Sequence, residues 1–361
     1  MKKMIFIIVL LLLPFFCHAQ DQTYKARVIE VIAEQNRELS DGTQARQQKL
    51  KLKILDGDKI GQEIVFDGFG DYDALKKNIY QVDDKVLLLA SYDDTGKVNY
   101  YITDYVRTNS LFLLTVLFGL SIIVVGGIKG FRSLLSLIAT FFVVVKYIIP
   151  QILAGANPLF VTLLGSFIIL LIIIYITEGF RINAHIAVVS IFISLVITVL
   201  ISWVFVDLAQ LSGLASEEVS FLVGLNSHTI NFQGLLLAAI IIGTLGVLDD
   251  IVIAQVATAE EIMKADPYKS KLEVFKSTYR VGVSHISSMT NTLFLAYVGV
   301  SLPLLILFVS GKSAFSTWSQ IANNEAIATE IVRTLAGSIG LILSVPISTG
   351  IAVWWLFARK K

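Results

Sequence analysis

Strict alternation of apolar and polar residues is clearest in Leu50-Lys51-Leu52-Lys53-Ile54, where a period of two puts one strand face in a core and the other in water. Residues 24–33 read as a partner strand. Residues 86–92 and 97–105 are two further β-rich runs joined by Asp93-Asp94-Thr95-Gly96, a turn sequence. Short strands punctuated in this way predict a small β-barrel-like domain of the OB or SH3-like kind over residues 20–107. Beyond residue 107 the alternation gives way to long apolar runs. Seven of them are long enough to cross a bilayer: residues 109–128, 131–149, 158–177, 183–206, 232–257, 285–309 and 327–357. The expected fold class is an all-α polytopic bundle of about seven transmembrane helices over residues 108–361, preceded by the β domain.

Composition supports the membrane class. Of 361 residues 55% are hydrophobic and only 16% charged, so the lipid bilayer is the first partner to expect. A net charge of +1 gives no reason to expect nucleic acid, and the placement of charge says more than its sum. The β domain has no His, no Cys and no Gly-rich phosphate loop. Asp67, Asp71 and Asp73 in FDGFGDYD lack the spacing of a calcium loop and read as surface. No cofactor or metal is expected.

Lys2 and Lys3, the apolar run Met4 to Phe16, and Cys17-His18-Ala19 have the order of a cleavable signal peptide over residues 1–19. The alternative is a retained anchor, for which the run is short. Phe16 before Cys17 suits a lipid-attachment box poorly. Export of the β domain would run the first span inward and make the loops alternate. The inner loops then carry Lys129 and Arg132, Arg181, and Lys264, Lys269, Lys271, Lys276 and Arg280, with Arg359, Lys360 and Lys361 in the tail. The outer loops carry almost no positive charge besides Lys312, as the positive-inside rule requires. A bacterial inner-membrane protein with an extracytoplasmic β domain and a cytoplasmic C-terminus is expected.

Polar residues interrupt the later spans. Asp249 and Asp250 lie about 12 Å inside the inner boundary, Thr290 and Asn291 about 8 to 9 Å, and Ser348 and Thr349 about 12 to 14 Å, at 1.5 Å per helical residue. An acid at that depth is a functional-site candidate by default. A span ending near Leu248 would instead leave the two acids in the headgroup zone. Pro346 removes a backbone donor and predicts a helix break. Glu330 and Arg333, three apart, predict an ion pair within the seventh span. Gly243, Gly246, Ala336 and Gly340 permit close helix approach. Lys146 reads as snorkelling, His185 as interfacial, and His285, near the acids, as interfacial or as a proton relay.

Three ordered stretches, LGVLDDIVIAQ (245–255), SHISSMTNTLFLAYVGVSLPLL (284–305) and EIVRTLAGSIGLILSVPIST (330–349), resemble the YibE/F-like family of bacterial multi-pass membrane proteins. The similarity extends to the β domain. The matching positions are Asp250 and Gln255; His285, Asn291, Ala296, Tyr297, Gly299 and Pro303; and Arg333, Gly337, Ser338, Gly340 and Pro346. Val252 and Ala254 stand where a common version of the first motif has hydroxyl residues. The resemblance implies a membrane protein or permease and names no substrate.

A transporter or permease, proton- or cation-coupled, is the leading expectation for an unidentified small solute or ion. Asp249 and Asp250 are its coupling pair, Asn291 and Thr292 its neutral ligands, and Gln255, His285, Glu330 and Arg333 its further polar groups. The alternative is a scaffold or accessory subunit whose exported domain binds a protein partner. An enzyme is disfavoured. His-Glu-x-x-His and Gly-x-Ser-x-Gly are absent, and adjacent acids on one helix cannot face one another as a dyad.

Overall fold

The computed structural model describes residues 22–38, 44–69, 79–92, 98–215, 217–226, 230–310 and 317–359. The signal-peptide reading, Asp71 and Asp73, the turn at 93–96, and Lys312, Lys360 and Lys361 lie outside them. The chain divides into two compact units, Met1–Ser121 and Ile122–Lys361.

Among the described residues the first unit is built on five antiparallel strands, β1 (Gln22–Glu38), β2 (Gln44–Ile54), β3 (Glu63–Asp67), β4 (Lys85–Tyr92) and β5 (Val98–Tyr105). They are ordered β3-β2-β1-β4-β5. The alternation in β2 has the expected effect. Leu50, Leu52 and Ile54 are buried with Tyr24, Ala26 and Val28 of β1 and Val86, Leu88 and Ala90 of β4. On the wet face Lys49 meets Asp67 at 3.0 Å and Lys51 meets Glu63 at 2.8 Å across the β2–β3 ladder. Two irregularities in β1, between Val28 and Glu30 and between Val31 and Ala33, add local twist. The sheet curls far enough for Lys59, in the β2–β3 connection, to donate to the Tyr100 hydroxyl of β5 at 3.1 Å. No ladder joins β3 to β5 among the described residues, so the structure shows an antiparallel sheet without showing the closure of the expected barrel. The buried Gln48 amide acts as an extra rung. It donates to Tyr80 O at 3.0 Å and accepts from Tyr80 N at 2.7 Å, pinning the 79–84 segment to β2.

The remaining elements are helical: α1 (Thr108–Val143), a π-helical turn (Val144–Ile148), α2 (Ile149–Leu153), α3 (Pro158–Thr177), α4 (Ile182–Leu208), α5 (Glu217–Asn226), α6 (Phe232–Ala265), α7 (Lys271–Val309), α8 (Trp318–Ala322) and α9 (Glu325–Arg359). Among the described residues six helical stretches are long and apolar enough to cross a membrane, where seven spans were expected, because Thr108–Leu153 is one helical run of 46 residues. It is not straight. Gly127 has φ 55° and ψ −132°, outside helical space. A Cβ on Gly130 would fall 2.1 Å from Ile122 O, although a straight helix holds residues eight apart at about 12 Å. The chain therefore bends sharply at Gly127 and brings Gly130 against Ile122, which glycine's tolerance of positive φ permits.

Local chemistry sets the helix starts. Asn157 and Asn231 accept from Leu159 N and Gly234 N, and Ser270 with Glu273 forms a capping box on α7. In the bundle, α9 packs on α4, α6 and α7, and α6 also packs on α3 and α4. Small residues allow this. A Cβ on Gly340 would lie 1.9 Å from Thr198 Oγ1, and one on Gly282 would lie 2.4 Å from Val345 Cγ1. Ser190, Ser194, Thr198 and Ser202 form a buried hydroxyl ridge on α4, each donating to the carbonyl four residues earlier. Helix α9 continues through Pro346 without the expected break. A proline inside a helix costs one hydrogen bond, and here the surrounding helices hold the segment in place.

Candidate functional site

Helix contacts fix the register of the bundle. Gly282 of α7 abuts Gln255 of α6, and Gly243 of α6 abuts the Tyr297 hydroxyl of α7, so these helices are antiparallel. Asp249, midway between Gly243 and Gln255, is level with the turn around Met289 and Thr290. Helix α9 runs parallel to α6, with Gly337 against Thr244 and Thr349 against Gln255. Taking the Glu325 end of α9 as up, polar groups occupy a lower and an upper level.

At the lower level Gln255 is fully buried. Its amide donates to Thr278 O at 2.7 Å and to Thr349 Oγ1 at 2.9 Å, tying α6, α7 and α9 together. Gly282 is required beside it, since a Cβ there would fall 2.7 Å from Gln255 Nε2. The sequence marked Gln255 as a site residue, and its bonding makes it a clasp. The Gln255 carbonyl oxygen and the Thr278 hydroxyl remain without partners. Nearly two turns above, Asp249 is partly buried and its Oδ1 is enclosed with no hydrogen-bond partner. Asp250, about 100° around the helix, is exposed. His285, Asn291 and Thr292 are also exposed, and Thr292 returns its hydroxyl to Ser288 O at 3.0 Å. No hydrogen bond joins either aspartate to Asn291 or Thr292 among the described residues. Asp249 turns inward, whereas Asp250 and the expected neutral ligands face out.

The upper level is more open. Glu330 Oε1 accepts from Arg333 Nη1 at 2.9 Å within α9, the expected ion pair, while Glu330 Oε2 and Arg333 Nε are buried without partners. Two cavities adjoin the pair. The first, of about 420 Å³, is lined by Thr329, Glu330 and Arg333 on one side and by Leu235, Val300 and Leu304 on the other. The second, of about 370 Å³, lies among Tyr297, Trp318, Ile327, Glu330 and Thr334. Glu330 and Ser301 line both, and neither cavity is lined by Asp249 or Asp250. A carboxylate latch lies at the start of α9. Glu325 Oε1 accepts from Ser212 N at 2.6 Å, Ser212 Oγ at 2.7 Å and Gly213 N at 3.1 Å, fixing the loop after α4 against the first turn of α9.

Sequence reading missed Thr329, Ser301, Tyr297 as a cavity wall, and the Glu325 latch. Glu325, Thr329 and Arg333 are spaced four apart on α9, a signal that was there to be read. The loop at 212–213 carries no such signal. Among the described residues no three His, Cys, Asp or Glu side chains gather as a metal site.

The helices are those of a multi-pass integral membrane protein. Searches among curated proteins and among solved structures give no match. A family model described as YibE/F-like protein matches residues 114–358, which takes in the bundle and stops short of the sheet to which the resemblance extended. That match spans well over half of its length, and the chain belongs to the YibE/F-like protein family.

Proposed function

We propose that this membrane protein is a permease for a small solute or ion, proton- or cation-coupled through Asp249. The observation that supports the reading is the enclosed, unpartnered Asp249 oxygen in the middle of a membrane-length helix. A buried carboxyl with no partner is expensive to keep, and in a membrane bundle such groups mark proton and ion pathways. Of the two adjacent acids, Asp249 is the coupling group and Asp250 meets the surroundings of the bundle. In this reading the run at 108–153 crosses twice, reversing at Gly127, so the bundle has seven crossings with the β domain outside the cell and the C-terminus in the cytoplasm of a bacterial inner membrane.

The test is proton movement in pyranine-loaded proteoliposomes holding the full chain, challenged with a panel of small solutes and of monovalent and divalent cations. At least one member should drive flux. Asp249→Asn should reduce that flux at least tenfold while reconstituting at the wild-type level, and Asp250→Asn should reduce it far less. Flux with no panel member, or flux untouched by Asp249→Asn, would sink the permease reading.

A further inference from the structure

Helix α7 is covered on one side only. Its most apolar stretch is 11% buried, against 33% to 56% for those of α3, α4, α6 and α9. Thr278, Gly282, Leu293 and Phe308 turn into the bundle, and the opposite face is open. Along that face Ser284, Ser288, Asn291, Leu295, Val298 and Leu302 recur at alternating spacings of four and three, the seam of a two-helix coiled coil. All six are exposed except Val298, which is partly so.

Lipid does not satisfy this face. Asn291 stands beside the midpoint of a 39-residue membrane-length helix, exposed, and among the described residues its carboxamide makes no hydrogen bond. A hydroxyl can return to the carbonyl four residues earlier, as Thr292 does to Ser288 O at 3.0 Å. A carboxamide carries two N–H donors as well as an acceptor, more than its own helix can use. Hydrocarbon offers those groups nothing, so the cover must be polar at this depth.

From this pattern we infer that α7 packs along α7 of a second copy of the chain, with Asn291 paired to its counterpart in the middle of the seam. An amide both donates and accepts, so it is its own complement. Two copies inserted the same way up are related by a twofold axis along the membrane normal, which brings each residue of α7 level with its counterpart. Asn291 then finds a donor and an acceptor in the other Asn291, the kind of pairing that sets register in coiled coils and joins helices in membranes. Leu295 and Leu302 supply apolar packing on the same line. The pairing concerns assembly, and it holds whether or not the chain is a permease.

The experiment uses purified full-length Cys17→Ser chains with single cysteines, reconstituted at a high lipid-to-protein ratio and treated with a short, membrane-permeant bis-methanethiosulfonate. Ser288→Cys and Leu295→Cys should give a species of twice the chain mass. Leu200→Cys on α4 and Ile342→Cys on α9, at positions that are also exposed, should not. Asn291→Leu added to Leu295→Cys should cut the crosslinked fraction at least fivefold, whereas Asn291→Gln, which keeps a carboxamide, should retain at least half of it. Should Asn291→Leu fail to fold, Ser288→Phe, which puts bulk on the seam, takes its place with the same loss expected. Equal crosslinking at all four positions would show random collision and overturn the seam. So would monomer alone at Ser288→Cys and Leu295→Cys, which would leave lipid or another helix of the same chain as the cover. A crosslinked fraction unchanged by Asn291→Leu would overturn the pairing of Asn291.

Discussion

Single residues in the bundle divide into those that hold helices together and those left with unused polar atoms. Gln255 is of the first kind, with two hydrogen bonds to two other helices and no exposure. Gln255→Met keeps the volume and removes both bonds. It should lower stability by about 1–2 kcal/mol, read as a lower thermal midpoint in detergent. Gly340 is of the same kind for steric reasons. Gly340→Ala puts a methyl 1.9 Å from Thr198 Oγ1 and should cost about 1–3 kcal/mol, with part of the loss recovered in a Thr198→Ala background. Additivity of the two substitutions in the same unfolding assay would contradict that contact. The sequence singled out Gln255, Glu330 and Arg333 by residue type and spacing. It could not show which way Asp249 and Asp250 face, because neighbours on a helix differ by about 100° and only packing decides which turns inward.

At the scale of the element, β2 was fully legible, since Leu50, Leu52 and Ile54 alternate with lysines that find Asp67 and Glu63 on β3. Closure of the sheet was not legible, because it depends on edges far apart in the chain. The carboxyls of this unit make its stability depend on pH. The Gln48 amide and then Arg46, both bonded to Glu34, hold its carboxyl below the ordinary range, and the Lys51 ammonium does the same for Glu63. For Asp67 the causes are Lys49 first and the Phe69 N–H second. Carboxyls lowered in the folded state stabilise it above their unfolded pKa, and that share is lost as pH falls through the folded value. The sheet should therefore loosen on acidification below the usual carboxylate range, with hydrogen exchange rising in β2 and β3 of the full chain. In Lys49→Met the acid sensitivity at β3 should be smaller, and an unchanged profile would remove Asp67 from the explanation. Among the helices, Pro346 misled because a proline in a straight sequence reads as a break, whereas α9 is held on several sides by α4, α6 and α7.

For the whole molecule, the seven long apolar runs after residue 107 fall on helices among the described residues, and the difference in count comes from one place. One span was ended at residue 128 and the next begun at 131, whereas the structure has one helical run with a sharp bend at Gly127 that brings Ile122 against Gly130. If the run crosses twice with its bend at the membrane surface, thiol reagents should reach a cysteine placed at Lys129 from the same side as one placed at Tyr268, and from the side opposite one placed at Ser212. Labelling of Lys129→Cys from the Ser212 side would contradict seven crossings. The permease reading needs one thing above all, that water reach Asp249 inside the bundle while its packed neighbours stay dry. In Cys17→Ser chains carrying single cysteines, Asp249→Cys should react with a membrane-impermeant methanethiosulfonate in sealed vesicles, and Leu248→Cys and Val252→Cys should not. An inert Asp249→Cys, or equal labelling at all three positions, would contradict a water path to this carboxylate.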